Sequence, residues 1–339
     1  MNAGSILDSK LEEWPTLATE ISFNGILLGN GASRAVSEKF NYTSLYEKAC
    51  NLDEGNRLTD ADIRLFDHFK THNFETILSS LAIANVVNSA LGLDIGSIKT
   101  RYESIREALI IAVHGNHVEW NELSSDILMS IKTALRKYQC VYTTNYDLLL
   151  YWAIMNESSE GFIDYFWNEA FDISNVEIWT PGTKVLYLHG ALHLSRTLTG
   201  GTLKARADES ANLLDKFGNT PSCSTTPLII AEGNSEEKKQ SIFKSDYLSF
   251  GLARLAQHRG AICIFGHGLG VEDDHIIEAI NNSNSTILGV SVYETSGTEI
   301  KKVKARANER FPNKSLRFFR ATSHPLASKA LNVENLQPV

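Results

Sequence analysis

The sequence predicts an α/β fold: a mostly parallel sheet with helices on both faces and a large helical insertion. Three observations predict it. Short apolar runs recur along the chain, and most end in glycine or polar residues, as buried strands do. Stretches of helical periodicity separate several of these runs, the alternation that builds parallel sheets. The runs are apolar on both faces, which suits strands covered on both sides rather than a sheet with one wet face.

The first strand is expected at 26–28, ending in Gly29-Asn30-Gly31-Ala32-Ser33. No strand-like run follows for about a hundred residues. Segments 60–93 and 98–135 read instead as amphipathic helices, broken near 92–96 and 115–121. A parallel crossover needs only about a dozen residues. Residues 35–138 are therefore expected to form a helical insertion beside the first crevice, within one domain spanning 1–339. The second strand, 140–143, runs into Thr143-Thr144-Asn145-Tyr146-Asp147 and a helix over 148–155. The third, 185–188, ends in Leu188-His189-Gly190. Residues 195–227, with Gly200, Gly201, Gly218 and Pro221, read as a long loop.

A strand at 228–231 ends in Ala231-Glu232-Gly233-Asn234, and Glu237-Lys238-Lys239 beyond it reads as a solvated charge run. The helix over 246–258 carries Tyr247, Leu248, Leu252 and Leu255 on one stripe. The strand at 261–265 ends in Gly266-His267-Gly268-Leu269-Gly270, ahead of a helix over 273–281 with Ile276, Ile277 and Ile280 on one face. Strands at 286–292 and 316–319 complete the sheet.

The 339 residues can bury a full core, and 43% hydrophobic with 21% charged content describes an ordinary soluble globular chain. The net charge of -8 argues against direct nucleic-acid binding. No apolar stretch approaches the ~18 residues of a membrane span, and the polar, acidic first 13 residues are unlike a signal peptide. A cytoplasmic protein is expected. Cys50, Cys140, Cys223 and Cys263 are scattered, with neither zinc-module nor disulfide spacing.

In open parallel sheets, ligands bind outside the carboxyl ends of the strands. The polar motifs at those ends are thus expected to share a crevice. Glycines 29 and 31 let the backbone approach a phosphate, to which Ser33 adds a hydroxyl and Arg34 a charge. A tight strand-to-helix turn explains that short motif equally well. Asn145 can donate and accept at once, which suits ribose hydroxyls or a water, although it could instead cap the following helix. His189 is a candidate base, and Gly190 permits close approach of a ligand. Gly266 and Gly268 read as a second nucleotide-facing loop, with Asp273 or Asp274 capping the next helix. His68/His72 and His114/His117 read as helix-surface pairs, since neither has a third ligand. His193 has no clean helical pairing with His189.

Taken in order, GNGAS, TTNYD, LHG and the late FGHGLGVEDD resemble the motifs of the sirtuin-like superfamily, over 25–190 with a weaker continuation to about 320. Sirtuins carry GAGxS, TQNID and HG in this order. The resemblance implies a Rossmann-like fold that binds NAD. It likens Gly29, Gly31 and Ser33 to the diphosphate-binding turn, Asn145 and Asp147 to the residues beside the nicotinamide ribose, and His189 to the catalytic base. The four-cysteine zinc module of sirtuin deacylases is missing, so no metal is expected. A GIPDFR-like loop is not recognisable in 35–46, and something like Ala231-Glu232-Gly233 replaces the Gly-Thr-Ser motif.

A zinc-less member with a helical insertion is similar to the bacterial antiphage-defence branch. That branch implies an NAD+ glycohydrolase that depletes NAD+, an expected homo-oligomer, and a HerA-type ATPase or short Argonaute as partner. The alternatives are an NAD- or ADP-ribose-binding sensor module without turnover, and an NAD-dependent protein deacylase.

Overall fold

The computed structural model describes residues 8–175, 181–197, 200–205, 227–231, 234–293 and 296–335. The chain opens with α1 (Trp14–Glu20), β1 (Phe23–Leu28) and α2 (Asn30–Val36). The helices α3 (Tyr42–Cys50), α4 (Asp60–Phe69), α5 (Phe74–Ala90), α6 (Gly96–Gly115) and α7 (Ser125–Leu135) follow. Next come β2 (Cys140–Thr143), α8 (Leu149–Met155), β3 (Phe162–Ile163), β4 (Phe166–Asn168), β5 (Ala170–Phe171), β6 (Thr183–Tyr187), β7 (Gly190–Arg196), β8 (Thr202–Lys204) and β9 (Pro227–Ile229). The last part holds α9 (Ser235–Phe243), α10 (Asp246–Ala256), β10 (Ala261–Phe265), α11 (Asp274–Asn282), β11 (Ile287–Val292), α12 (Gly297–Arg310) and β12 (Ser315–Arg320).

Seven strands form a parallel sheet in the order β12-β11-β10-β1-β2-β6-β3. Its central strands are apolar on both faces, and Ile26, Leu27, Val141, Val185 and Ile262 are fully covered by flanking helices. Without the edge strand β3, the order is the 3-2-1-4-5-6 of the Rossmann fold. The α/β, Rossmann-like fold class expected from the sequence is the one observed. The order of strands reverses between β1 and β10, the switch point where such sheets open a crevice.

Register aligns the ends of the central strands. Leu28 pairs with both Thr143 and Phe265, and Thr143 pairs with Tyr187. The residues that follow, Gly29, Thr144, Leu188 and Gly266, therefore leave the sheet at one level.

The strand expected at 228–231 belongs elsewhere. As β9 it runs antiparallel to β7, pairing Ile229 with Gly190, in a second sheet ordered β4-β5-β8-β7-β9. A short apolar run reports burial but not which neighbour buries it. Part of the expected loop at 195–227 is also strand, the end of β7 and all of β8. Residues 198–199 and 206–226, with Gly218, Pro221 and Cys223, lie outside the described residues, as do Glu232 and Gly233.

Between β1 and β2 the regular elements are helical, and local chemistry explains their boundaries. Thr59 and Asp62 close a capping box at the start of α4, and Arg101 on α6 reaches the same Asp62 at 3.2 Å. One side of α5 is buried through Ile77, Leu78 and Leu81, while Ile83, Val86 and Val87 are exposed, followed by exposed Leu91 and Leu93. Among the described residues no helix is long and apolar enough to cross a membrane.

Candidate functional site

At the switch point the turns after β1 and β10 pack backbone against backbone. The Gly29 amide donates to the Phe265 carbonyl and the Gly31 amide to the Gly266 carbonyl, both at 2.9 Å. A Cβ on Gly29 would sit 2.5 Å from the His267 Cα, and one on Gly31 would sit 2.6 Å from the Gly266 Cα. Glycine is therefore required here by the contact between the two turns. Gly268 differs, because a Cβ there would meet nothing within 4 Å.

The second group joins β1 to β2. Asn145 Nδ2 donates to the Gly29 carbonyl at 3.1 Å and to Ser33 Oγ at 2.8 Å, and Ser33 Oγ donates to Asp147 Oδ2 at 2.5 Å. Asn145 does not cap α8. Asp147 Oδ1 accepts from the amide of Leu149, the first residue of α8, at 3.0 Å. Ser33, Asn145 and Asp147 line a cavity of about 40 Å³ together with Leu28, Val36, Ile131 and Leu326.

His117 supports this group and is not the surface residue its spacing suggested. It is buried, its Nδ1–H donates to the Val118 carbonyl at 2.8 Å, and its Nε2 accepts from the Leu148 amide at 2.7 Å. Burial lowers its pKa, against the pull of Asp147.

The third group surrounds His189. The structure places this side chain 1% exposed, so it is an interior group and not the open crevice residue expected of a strand end. Its Nε2 lies 2.8 Å from His275 Nε2, and His275 Nδ1 lies 2.9 Å from Ser235 Oγ. Asp273 Oδ1 is 3.8 Å from His189 Nε2, and Asp273 Oδ2 is 3.3 Å from His267 Nε2. Lys238 Nζ bonds Asp273 Oδ1 at 2.9 Å and Glu75 Oε1 at 2.8 Å.

Burial holds the His189 imidazole well below its usual pKa; Asp273 opposes this, and Lys238, His275 and His267 reinforce it. Burial likewise lowers His275 to about 4. Burial alone would raise the Asp273 carboxyl, but Lys238 and His267 outweigh it and hold the group well below the carboxylate range. His189, Asp273 and His275 bring ligand-type atoms within 4.8 Å of one another. An ammonium 2.9 Å from that carboxylate opposes a dication there, and the two Nε2 atoms face each other at hydrogen-bond distance.

The fold thus brings Gly29, Gly31, Ser33, Asn145, Asp147 and Gly266 together directly. His189 does not line the 40 Å³ cavity and reaches the group through Asp273 and His267, whose backbone covers Gly29. Sequence reading misplaced Lys238, a buried and doubly paired cation rather than part of a solvated run. It also offered Asp273 or Asp274 as a cap, whereas Asp273 at the N-cap position makes no side-chain capping bond and pairs with Lys238. His193 is buried on β7 against Tyr151 and Tyr187. His72 stacks on Tyr46 with centroids 4.4 Å apart.

Residues 26–326 match the family described as Domain of unknown function (DUF4917). No curated protein matches the chain.

Proposed function

We propose that this chain, which belongs to the DUF4917 family, is an NAD+ glycohydrolase of sirtuin-like type that cleaves the nicotinamide–ribose bond to nicotinamide and ADP-ribose. One observation carries the reading. Polar motifs from the ends of β1, β2 and β10 meet at the switch point of a Rossmann-ordered sheet, and the buried imidazole of His189 at the end of β6 reaches them through Asp273 and His267.

In this reading the C1′–N bond breaks, nicotinamide leaves as a neutral base, and the ribose passes through an oxocarbenium-like state. Water adds to C1′ and gives up a proton. With His275 Nδ1–H donating to Ser235, His275 Nε2 accepts from His189 Nε2–H, and the lone pair on His189 Nδ1 takes that proton. The ionised Asp273 steadies the imidazolium as it forms. Asn145 orients the water or the ribose, and the Gly29 and Gly31 turn receives the diphosphate with Ser33.

A sensor module without turnover has one observation in its favour. The groups that would hold the substrate are bonded to one another: Gly31 to Gly266, and Asn145 to Gly29 and Ser33. A 40 Å³ cavity is also far below the ~300 Å³ of small-molecule sites. Turnover therefore requires the 266–273 segment to part from the Gly29 turn, so low basal activity is expected of a hydrolase that would otherwise drain its own cell.

Incubation of purified protein with NAD+ and identification of products decides between the readings. Nicotinamide with ADP-ribose supports the hydrolase, binding without release supports the sensor, and acyl transfer from an acylated peptide supports a deacylase. Asn145→Ala is expected to lower nicotinamide release by about 10²–10³-fold, as loss of a positioning donor does. It should also cost about 1–3 kcal/mol for two lost hydrogen bonds. An Asn145→Ala protein that melts lower yet turns over normally would leave the carboxamide a purely structural tie.

A role in antiphage defence, with a HerA-type ATPase or short Argonaute as partner, belongs to the same proposal, and so does assembly with further copies of this chain. Support for self-assembly comes from α5, which carries apolar side chains on its covered and uncovered sides alike, the pattern of a helix buried all round. Val86→Glu is expected to convert an oligomer to monomer in light scattering. A monomeric wild-type protein would contradict this.

A further inference from the structure

Lys238 is the most completely buried cation near the proposed chemistry. Its side chain is 0% exposed, on the inner face of α9, between two carboxylates from different parts of the chain. Asp273 comes from the segment after β10, and Glu75 from the first turn of α5, among the helices between β1 and β2. A buried ammonium persists only where its partners more than offset desolvation. Here burial would lower the Lys238 pKa, but Glu75 and Asp273 raise it well above its usual value. Burial pushes the Glu75 carboxyl up, with Lys238 acting against it.

We propose that Lys238 is a positioning residue for His189: it holds Asp273 in place and keeps the imidazole in its base form, while Glu75 anchors Lys238 and so ties the helical insertion to the site. The inference rests on the reading of His189 as the base, but its geometry does not. Asp273 Oδ1 is shared between the ammonium at 2.9 Å and the imidazole at 3.8 Å. A carboxylate this close to an imidazole, with no competing cation, would charge it near neutral pH and remove the base. The ammonium draws the carboxylate away and adds its own repulsion. The other groups facing the cluster are His275 on α11, Ser235 at the start of α9, His267 after β10, and Tyr42, Tyr146 and Glu272 around Glu75 and Lys238. Of these, His267 Nε2 lies 3.3 Å from Asp273 Oδ2, the carboxylate oxygen that the ammonium does not hold.

The test reads His189 directly, by NMR titration of protein with labelled histidines, the resonance being assigned from its loss in His189→Gln. Wild-type His189 is expected to stay neutral through pH 6.5. In Lys238→Met its midpoint should rise by about 1–3 pH units, the size of effect of an unmasked neighbouring carboxylate, and Lys238→Arg should restore the wild-type titration. If Lys238→Met does not fold, Lys238→Gln, whose carboxamide can donate to both acids, serves in its place. Nicotinamide release by the neutral variant should be depressed at pH 6.5 and recover at pH 8.5, whereas a merely structural lesion would depress it at both.

A His189 midpoint unmoved by loss of the Lys238 charge overturns the proposal, whatever the enzyme does. A shifted midpoint in a protein that never releases nicotinamide leaves the coupling standing and removes the hydrolase reading alone.

Discussion

His189→Gln is expected to reduce nicotinamide release from NAD+ by about 10²–10⁴-fold, the contribution of a positioned general base. Glutamine is the informative replacement. The side chain is buried and hydrogen-bonded to His275, so alanine would confound lost chemistry with a cavity and an orphaned imidazole. Glutamine fills most of the space and can bond His275 but cannot take a proton. The melting temperature should change little, and bound NAD+ should be retained in calorimetry.

The pH profile follows from the same geometry. An unperturbed histidine base would lose activity below about pH 6.5. Burial lowers the His189 pKa well below that value, and the active form is the neutral one. The base is thus fully present above its folded pKa, and release should hold level from pH 8 to 6.5, falling only at lower pH. An inflection at 6.5 or above, lost in His189→Gln, would show the imidazole to be more exposed to charge than its surroundings allow.

Gly190→Ala is expected to cost about 3–5 kcal/mol, enough to unfold many domains. Gly190 is where the chain leaves the parallel sheet at the end of β6 and enters the second sheet as β7. Its φ of +77° is a left-handed value costing an L-residue about 1–2 kcal/mol. Steric conflict is the larger effect. A Cβ would lie 1.9 Å from the Leu228 carbonyl oxygen, within the β7–β9 pairing that also fixes the His189 backbone through the Ile230 amide at 2.9 Å. Backbone on both sides leaves little to yield, and overpacking of this kind costs at least about 1–3 kcal/mol.

Gly268→Ala is the control, with open space around its Cβ and an expected change within about 0.5 kcal/mol. Denaturant melts of both variants make the comparison. Equal stability of the two would mean that the passage from β6 to β7 follows another path.

Much of this molecule is written locally. Strands at 26–28, 140–143, 185–188, 261–265, 286–292 and 316–319 are legible because a strand covered on both faces must be short, apolar and bounded by turn residues, and those demands fall on adjacent positions. The glycine and polar motifs beside them, with Ser33, Asn145, Asp147 and His189, are legible because a parallel sheet presents its strand ends to one crevice.

What tertiary structure alone decided lies between distant positions. Periodicity shows which residues share a helix face but not what packs on it, so Lys238 read as solvated until α9 met Glu75 and Asp273. The same gap made His117 a surface residue, although it holds the amide of Leu148, 31 positions away. It also put 228–231 in the wrong sheet and left Asn145 as a possible cap, although its side chain bonds Gly29 and Ser33 instead. Turns, caps and amphipathic faces are settled by interactions within a few residues of chain. The surroundings of His189 are settled by Asp273, His275 and Lys238, which come together only because β6 and β10 share one sheet and α9 packs beside α11.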